Sequence, residues 1–201
     1  MPRGVTEPAS GKCAEPAMTV MISLLRGVNL LGYHRIKMDE LRTLCESLKL
    51  RDPQTYVQSG NVVFRSEHRD PGRLGHYIEQ AIERKFGFHA DVVLRTKSEL
   101  RRVIDRNPFA RRSGVEPHKL TVTFFADELG KDKRDQILHI EANPEEIKLA
   151  RRELYIYYPD GIGRSKLTPV LDRVLKKTGT ARNWNTVTKL LEMAEELEAS
   201  K

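Results

Sequence analysis

Cysteine is nearly absent from this chain: 201 residues hold two, Cys13 and Cys45, with no CxxC pair. A disulfide framework is thereby excluded. Six histidines are scattered without an HExxH spacing, so no structural zinc site is expected. Cys45 falls in a helix-like stretch and is read as a core residue, as free cysteines usually are. A reducing cytoplasm is the expected compartment. There is no run of about 18 apolar residues, so no membrane-spanning helix is expected. The opening MPRGVTEPASGKCAEPA lacks the apolar stretch of a signal peptide, and residues 1–18 read as a disordered tail. A GxxxxGKS/T phosphate loop is missing, the GIG of residues 161–163 lacks the third glycine of a dinucleotide fingerprint, and no GxSxG elbow occurs. No cofactor is implied.

What is present is charge and alternating structure. Hydrophobic residues make up 39% and charged residues 31%, the balance of a folded globular protein. The net charge of +7 and pI near 9.5 bias partners toward phosphates, nucleic acid or other anions. A chain of this length makes one large domain or two small ones.

The apolar TVMISLLRG reads as a buried strand stopped at Gly27, followed by the loop NLLGYHRIK. MDELRTLCESLKL has helical spacing, with Pro53 as its expected end. TYVQSGNVVFRS reads as a strand pair, or as one strand kinked at Gly60. A helix opens at Asp70-Pro71, with Leu74, Tyr77, Ile78, Ala81, Ile82 and Lys85 as one face and Gly87 as its stop. HADVVLR is a strand, and the helix after it is capped by Thr96 or Ser98. Residues 109–118 read as a linker. The second half has the strand KLTVTFFAD, a charged helix, one or two strands in IKLARRELYIYY, a helix from Thr168-Pro169, a loop or short strand TGTARNWNT, and a closing helix. Val187, Leu190, Leu191, Ala194 and Leu197 form the apolar face of that last helix. The expected fold is α+β: two subdomains, residues 19–108 and 119–201, each with some ferredoxin-like character. No sequence repeat marks a duplication.

Candidate functional residues lie at polar strand ends. Arg26, Gly27 and Asn29 close the first strand; Gln58, Ser59, Gly60 and Asn61 interrupt another. If those strands are neighbours, the groups converge, and an Arg with an Asn can hold a phosphate and orient a water. The equally simple alternative is that Asn and Ser satisfy a bulge. In PDGIGRSK, Gly161 and Gly163 permit an anion nest, with Ser165, Arg164 and Lys166 beside it, or simply make a tight turn. In TARNWNT, Arg182 suits a phosphate, Asn183 and Asn185 a base edge, and Trp184 a ring. Alternatively Trp184 anchors the core, with Thr186 or Asn185 as helix cap. Glu145, Glu146, Glu192, Glu195 and Glu196 read as solvated helix faces.

Together LLRGVNLLGYHRIKMDEL, TYVQSGNVVF, YYPDGIGRSKL and TARNWNTVTKL, in this order, resemble a bacterial family catalogued as domain of unknown function 1697. The resemblance runs from about Thr19 to Leu197. It implies an α+β fold of two subdomains and no established activity. The loop after the first strand departs from the family's usual N-V-G-G-like form, reading N-L-L-G from Asn29 to Gly32. The family pattern falls on Arg26, Asn29, Lys37, Gln58, Ser59, Asn61, Ser165, Lys166, Arg182, Asn183 and Asn185. The reading preferred from sequence is non-enzymatic binding of an anion, either nucleic acid or a nucleotide. The alternatives are a small enzyme acting on a phosphorylated or acyl-phosphate substrate, and a structural or interaction protein.

Overall fold

The computed structural model describes residues 18–30, 32–176 and 178–200; the expected tail, including Cys13, lies outside them apart from Met18. The first half runs β1 (Thr19–Leu25), α1 (Met38–Ser47), β2 (Arg51–Tyr56), β3 (Asn61–Ser66), α2 (Pro71–Phe86), β4 (Val92–Thr96) and α3 (Lys97–Asp105). The second runs β5 (Leu120–Phe124), α4 (Lys131–Leu138), β6 (Glu146–Leu149), β7 (Glu153–Tyr157), α5 (Leu167–Leu175), β8 (Thr180–Asn183) and α6 (Trp184–Ala199). Each half builds one antiparallel sheet, β2-β3-β1-β4 and β6-β7-β5-β8. Both therefore have β-α-β-β-α-β connectivity with the last strand beside the first, the ferredoxin-like character expected of each half. Each also carries one further helix.

The repetition extends to register. Ile22 on β1 faces Arg95 on β4, and Val122 on β5 faces Arg182 on β8. Leu24 faces Asn61 as Phe124 faces Glu153. The two halves are thus structural repeats, although their sequences share no visible period. Topology and strand spacing carry the repeat, while the side chains have diverged.

Strand alternation divides the core into three layers. Val20, Ile22, Leu24, Val63 and Val93 from the first sheet face Leu120, Val122, Phe124, Tyr155 and Tyr157 from the second. Between them lie α3 and α6, packed on each other, α6 touching β1 and β3 as well as β5 and β8. Met21, Leu25, Val62 and Phe64 face outward onto α1 and α2. Phe125, Ile156, Leu167 and Leu171 form the corresponding outer layer of the second half. Phe109, inside the expected linker, is buried in the central layer.

Local signals explain most boundaries. Asp70 caps α2 by accepting from the Gly72 and Arg73 backbone N–H groups, Pro71 opens it, and Gly87 closes it at a φ of 77°. Thr96 and Glu99 form a capping box on α3. Several expectations are corrected. Helix α1 ends at Ser47, well before Pro53, and the chain reverses through Lys49 at a φ of 61°. Pro53 lies instead in β2, an edge strand whose register shifts between Arg51 and Gln54, where a missing N–H is tolerated. Tyr77 and Lys85 are exposed, leaving the buried face of α2 to Leu74, Gly75, Ile78, Ala81 and Ile82. Asn183, rather than Asn185 or Thr186, caps α6. Glu145 and Glu146 belong to no helix: Glu146 opens β6 and Glu145 is buried. No helix among the described residues is long and apolar enough to cross a membrane.

Candidate functional site: two arginine clasps and the clefts beside them

Arg95 and Arg182, at equivalent register, each reach across to the opposite half. The Arg182 guanidinium has five N–H donors, and all are used. Nε donates to Asn61 Oδ1, Nη1 to Thr180 Oγ1 (2.7 Å) and the Ala181 carbonyl (2.8 Å). Nη2 donates to the carbonyls of Leu25 (2.7 Å) and Ser59 (3.0 Å). Arg95 makes the matching set: Nε and Nη2 to Glu153, Nη1 to the Leu94 carbonyl, and Nη2 to the Phe125 carbonyl (2.8 Å) and that of Arg152. Leu25 and Phe125 are themselves equivalent, each lying three residues beyond the one that faces the arginine. The clasps differ in charge. Glu153 neutralises Arg95 at 2.9 Å, whereas Arg182 meets only neutral oxygens. Burial pulls the Arg182 guanidinium down to about 10, with no carboxylate to counter it. Arg95 is also lowered by burial and by Arg152, with Glu153 opposing.

The other candidates fall into three groups. Around the Arg182 clasp, Asn61 is fully buried and its Nδ2 donates to the Tyr56 carbonyl and to Ser59 Oγ. Asn29, at a φ of 56°, donates from Nδ2 to the carbonyls of Ile36 and Gln58 and accepts from the Ile36 N–H. The loop after β1 is thereby stapled to the β2–β3 turn, where Gln58 is exposed. Gly60, at a φ of 69°, lets that turn press against β1; a Cβ there would lie 2.6 Å from Val28 Cγ2. Arg26 is half-buried and makes one long contact, 3.5 Å to Asp91 Oδ2. A second group, Ser165 and Lys166, lies at the start of α5, where Ser165 Oγ accepts from the Leu167 N–H. The third group stands apart. Lys37 precedes α1, while Asn183 donates to the His118 carbonyl and accepts from the Asn185 N–H. Trp184 is half-buried against the central layer, as a core anchor should be. So Asn61, Arg182 and Asn183, which read from sequence as ligand contacts, have their hydrogen-bonding groups committed within the fold.

A cleft of about 430 Å3 opens beside Arg182. Its floor is the outer face of β5 and β8, one wall is α5, and the loop from Arg26 to Leu30 forms its rim. Thr121 and Thr123, both mostly buried, line it. Leu30 and Ile162 add exposed apolar surface at its mouth. Tyr158, whose hydroxyl is raised by burial, separates this cleft from a smaller pocket of about 330 Å3 that Ser165 and Lys166 line. A larger cleft of about 770 Å3, between β4 and α4, carries Glu79, Asp91, Asp127, Glu128 and Asp132 and does not suit an anion. Among the described residues no cluster of metal-ligating side chains occurs. The threonines were overlooked in the sequence, although their alternation with Leu120, Val122 and Phe124 marks a polar strand face. Arg95 was also missed; a lone charge in the apolar VVLRT was its signal.

These features define a class: a tandem α+β protein of two repeated β-α-β-β-α-β halves, locked by reciprocal arginines beside a mixed polar cleft. The family profile described as "Protein of unknown function (DUF1697)" matches residues 18–155, more than half of the chain, and the protein belongs to that family. The PDGIGRSK and TARNWNT segments lie beyond the matched range. A solved structure with a similar fold is the conserved bacterial protein SP0830 from Streptococcus pneumoniae. It has a TM-score of 0.73 and 22% identity, over 89% of this chain and 99% of that one. At this identity the likeness shows the fold alone. A search of the curated proteins finds no match.

Proposed function

We propose that this protein binds a small anionic ligand, of nucleotide size, in the cleft between the Arg26–Leu30 loop and the outer face of β5 and β8. It does so without catalysing a reaction and in a cytoplasmic setting. The observation that carries this reading is the unequal pair of clasps: Arg182, whose buried guanidinium has no carboxylate partner, is among the residues that border the cleft. Buried charge is normally paired, and an anion in the cleft would supply the missing partner through its field. Arg182 has no donor left to offer. Hydrogen bonds would come from Arg26, whose one ion pair is long, and from the Thr121 and Thr123 hydroxyls. The exposed Leu30 and Ile162 would meet a ring or an apolar part. A volume of about 430 Å3 sits at the lower end of small-molecule sites and favours a mononucleotide over a polymer.

The test is calorimetric titration with mononucleotides and inorganic phosphate, beside single-stranded RNA and DNA followed by anisotropy at several salt concentrations. Arg26→Ala should weaken mononucleotide binding by about 10-fold or more, the scale of one charged hydrogen bond. Absence of binding at low salt, or equal affinity in the variant, would overturn the cleft. Binding of polymer alone, steeply weakened by salt, would move the reading to nucleic acid. A second reading, a structural role for the motifs, is favoured for Arg182, Asn61 and Asn183 by their full set of internal partners.

A further inference from the structure

A separate cavity of about 160 Å3 adjoins the Arg95 clasp, between α3 and the turn that joins β6 to β7. Its lining carries five arginines against two glutamates, and both glutamates are already paired. Glu153 is held by Arg95 at 2.9 Å and Glu99 by Arg152 at 2.6 Å. Arg151 pairs instead with Glu128, which lies outside the lining and is shared with Arg134. Arg102 and Arg106 are exposed, stand one turn of α3 apart, and make no ion pair among the described residues. The lining therefore gathers an excess of positive charge around one small space.

The C-terminal end of a helix favours cations, which accounts for Arg102 and Arg106 taken singly. It does not account for Arg151 and Arg152, brought to the same cavity from another element, since guanidiniums held together repel. That crowding is felt in the clasp, where burial and then Arg152 lower the Arg95 guanidinium. The walls are fixed by the fold itself. Tyr155 Oη donates to the Val103 carbonyl at 2.9 Å, and Arg95 Nη2 to that of Arg152 at 3.3 Å. We propose that this cavity binds one dianionic phosphate group, free or as a monoester, with Arg102 and Arg106 donating to its oxygens. Guanidinium forks match phosphate oxygens in pairs. A terminal phosphate carries close to two negative charges at neutral pH. A carboxylate or a phosphodiester carries one and leaves more of the excess unmet. The volume is below the range of ordinary small-molecule pockets, about 300–1,000 Å3, so the phosphate enters and the rest of an ester stays outside. The site shares no lining residue with the anion cleft and does not depend on it.

The experiment is calorimetric titration of the full chain with inorganic phosphate, methyl phosphate, dimethyl phosphate and acetate. A phosphate dianion should bind, and dimethyl phosphate and acetate should bind at least about 10-fold more weakly, the scale of one charge-assisted hydrogen bond. Methyl phosphate bound as tightly as the free ion would mark the terminal phosphate of a larger molecule as the ligand. Inorganic phosphate bound alone would mark the free ion, and either result supports the site. Arg102→Gln and Arg106→Gln should each cost a similar factor, with unchanged melting temperatures to show that the fold is intact. Arg84→Gln, an exposed arginine on α2, should leave affinity unchanged. If neither inorganic phosphate nor methyl phosphate binds at millimolar concentration, the proposal is overturned. Equal affinity for all four anions would reduce the site to a basic surface and overturn it as well. Loss of phosphate affinity in Arg26→Ala, with Arg102→Gln and Arg106→Gln binding as the parent does, would assign the ion to the cleft. That result would overturn this proposal and leave the cleft reading standing.

Discussion

Replacing Arg182 with methionine tests the clasp directly. The substitution keeps much of the aliphatic volume and removes all five donors. Asn61 Oδ1 and the carbonyls of Leu25 and Ser59 lose a partner, although Leu25 still accepts from Thr180 Oγ1 at 3.2 Å. Each orphaned buried acceptor costs about 1–3 kcal/mol. Removing a desolvated cation returns part of that, so the net loss is about 2–4 kcal/mol. For a chain of this size the melting temperature should fall by about 5–15 °C. Arg95→Met should be worse, at about 3–5 kcal/mol, because it strands Glu153 as a lone charge at a mostly buried site. Adding Glu153→Gln to Arg95→Met should recover much of the loss. Urea unfolding gives the values, read by circular dichroism and by the fluorescence of Trp184, the only tryptophan, which packs against the layer between the halves. The reasoning fails if Arg182→Met stays within about 0.5 kcal/mol of the parent, the range of an ordinary surface change. It also fails if Glu153→Gln gives Arg95→Met no relief.

Other predictions follow from single contacts. Gly60→Ala should cost more than about 2 kcal/mol, since φ is 69° and the new Cβ meets Val28 and Leu25 at 2.6 and 2.7 Å. Gly87→Ala, with open space at its φ of 77°, should cost only about 1 kcal/mol, and urea midpoints decide between the two. Burial would raise Glu99, but the Thr96 N–H and Arg152 outweigh it and hold the carboxyl below its usual range. A depressed acid adds stability above its unfolded value and loses it as pH falls through the folded one. Stability should therefore drop below about pH 4, and Glu99→Gln should show a shallower fall in acid titrations of the urea midpoint. Burial pushes the Cys45 thiol up to about 12, so labelling by a thiol reagent at neutral pH should be negligible until the protein is unfolded.

The elements were largely legible because short apolar runs, helical spacing and caps act over a few residues. Asp70-Pro71, Thr96 and Gly87 each acted where their chemistry placed them. Pro53 misled because proline ends a helix only if the chain is still helical there, and Lys49 had already turned it. Convergence of Arg26, Asn29, Ser59 and Asn61 followed from the pairing of β1 with β3. The role of Arg182 did not, since its bonds join residues over a hundred positions apart and no local pattern carries that information. The same holds for the repeat, which is stated by register and not by residue type. Glu145 was misread because in NPEEIK its charge is visible and its burial is not.

The position of α6 has a consequence for the order in which the molecule is completed. During synthesis the first sheet can pair its strands and receive α1 and α2 on its outer side early. Its inner side, with Val20, Ile22 and Val63, is covered by α3 alone until residues 184–199 have been made and have folded back onto it. A nascent chain released before that point would present an apolar sheet face to its neighbours. Such an intermediate is a natural client for a chaperone, and the finished protein should unfold as one unit even though it is built from two repeats.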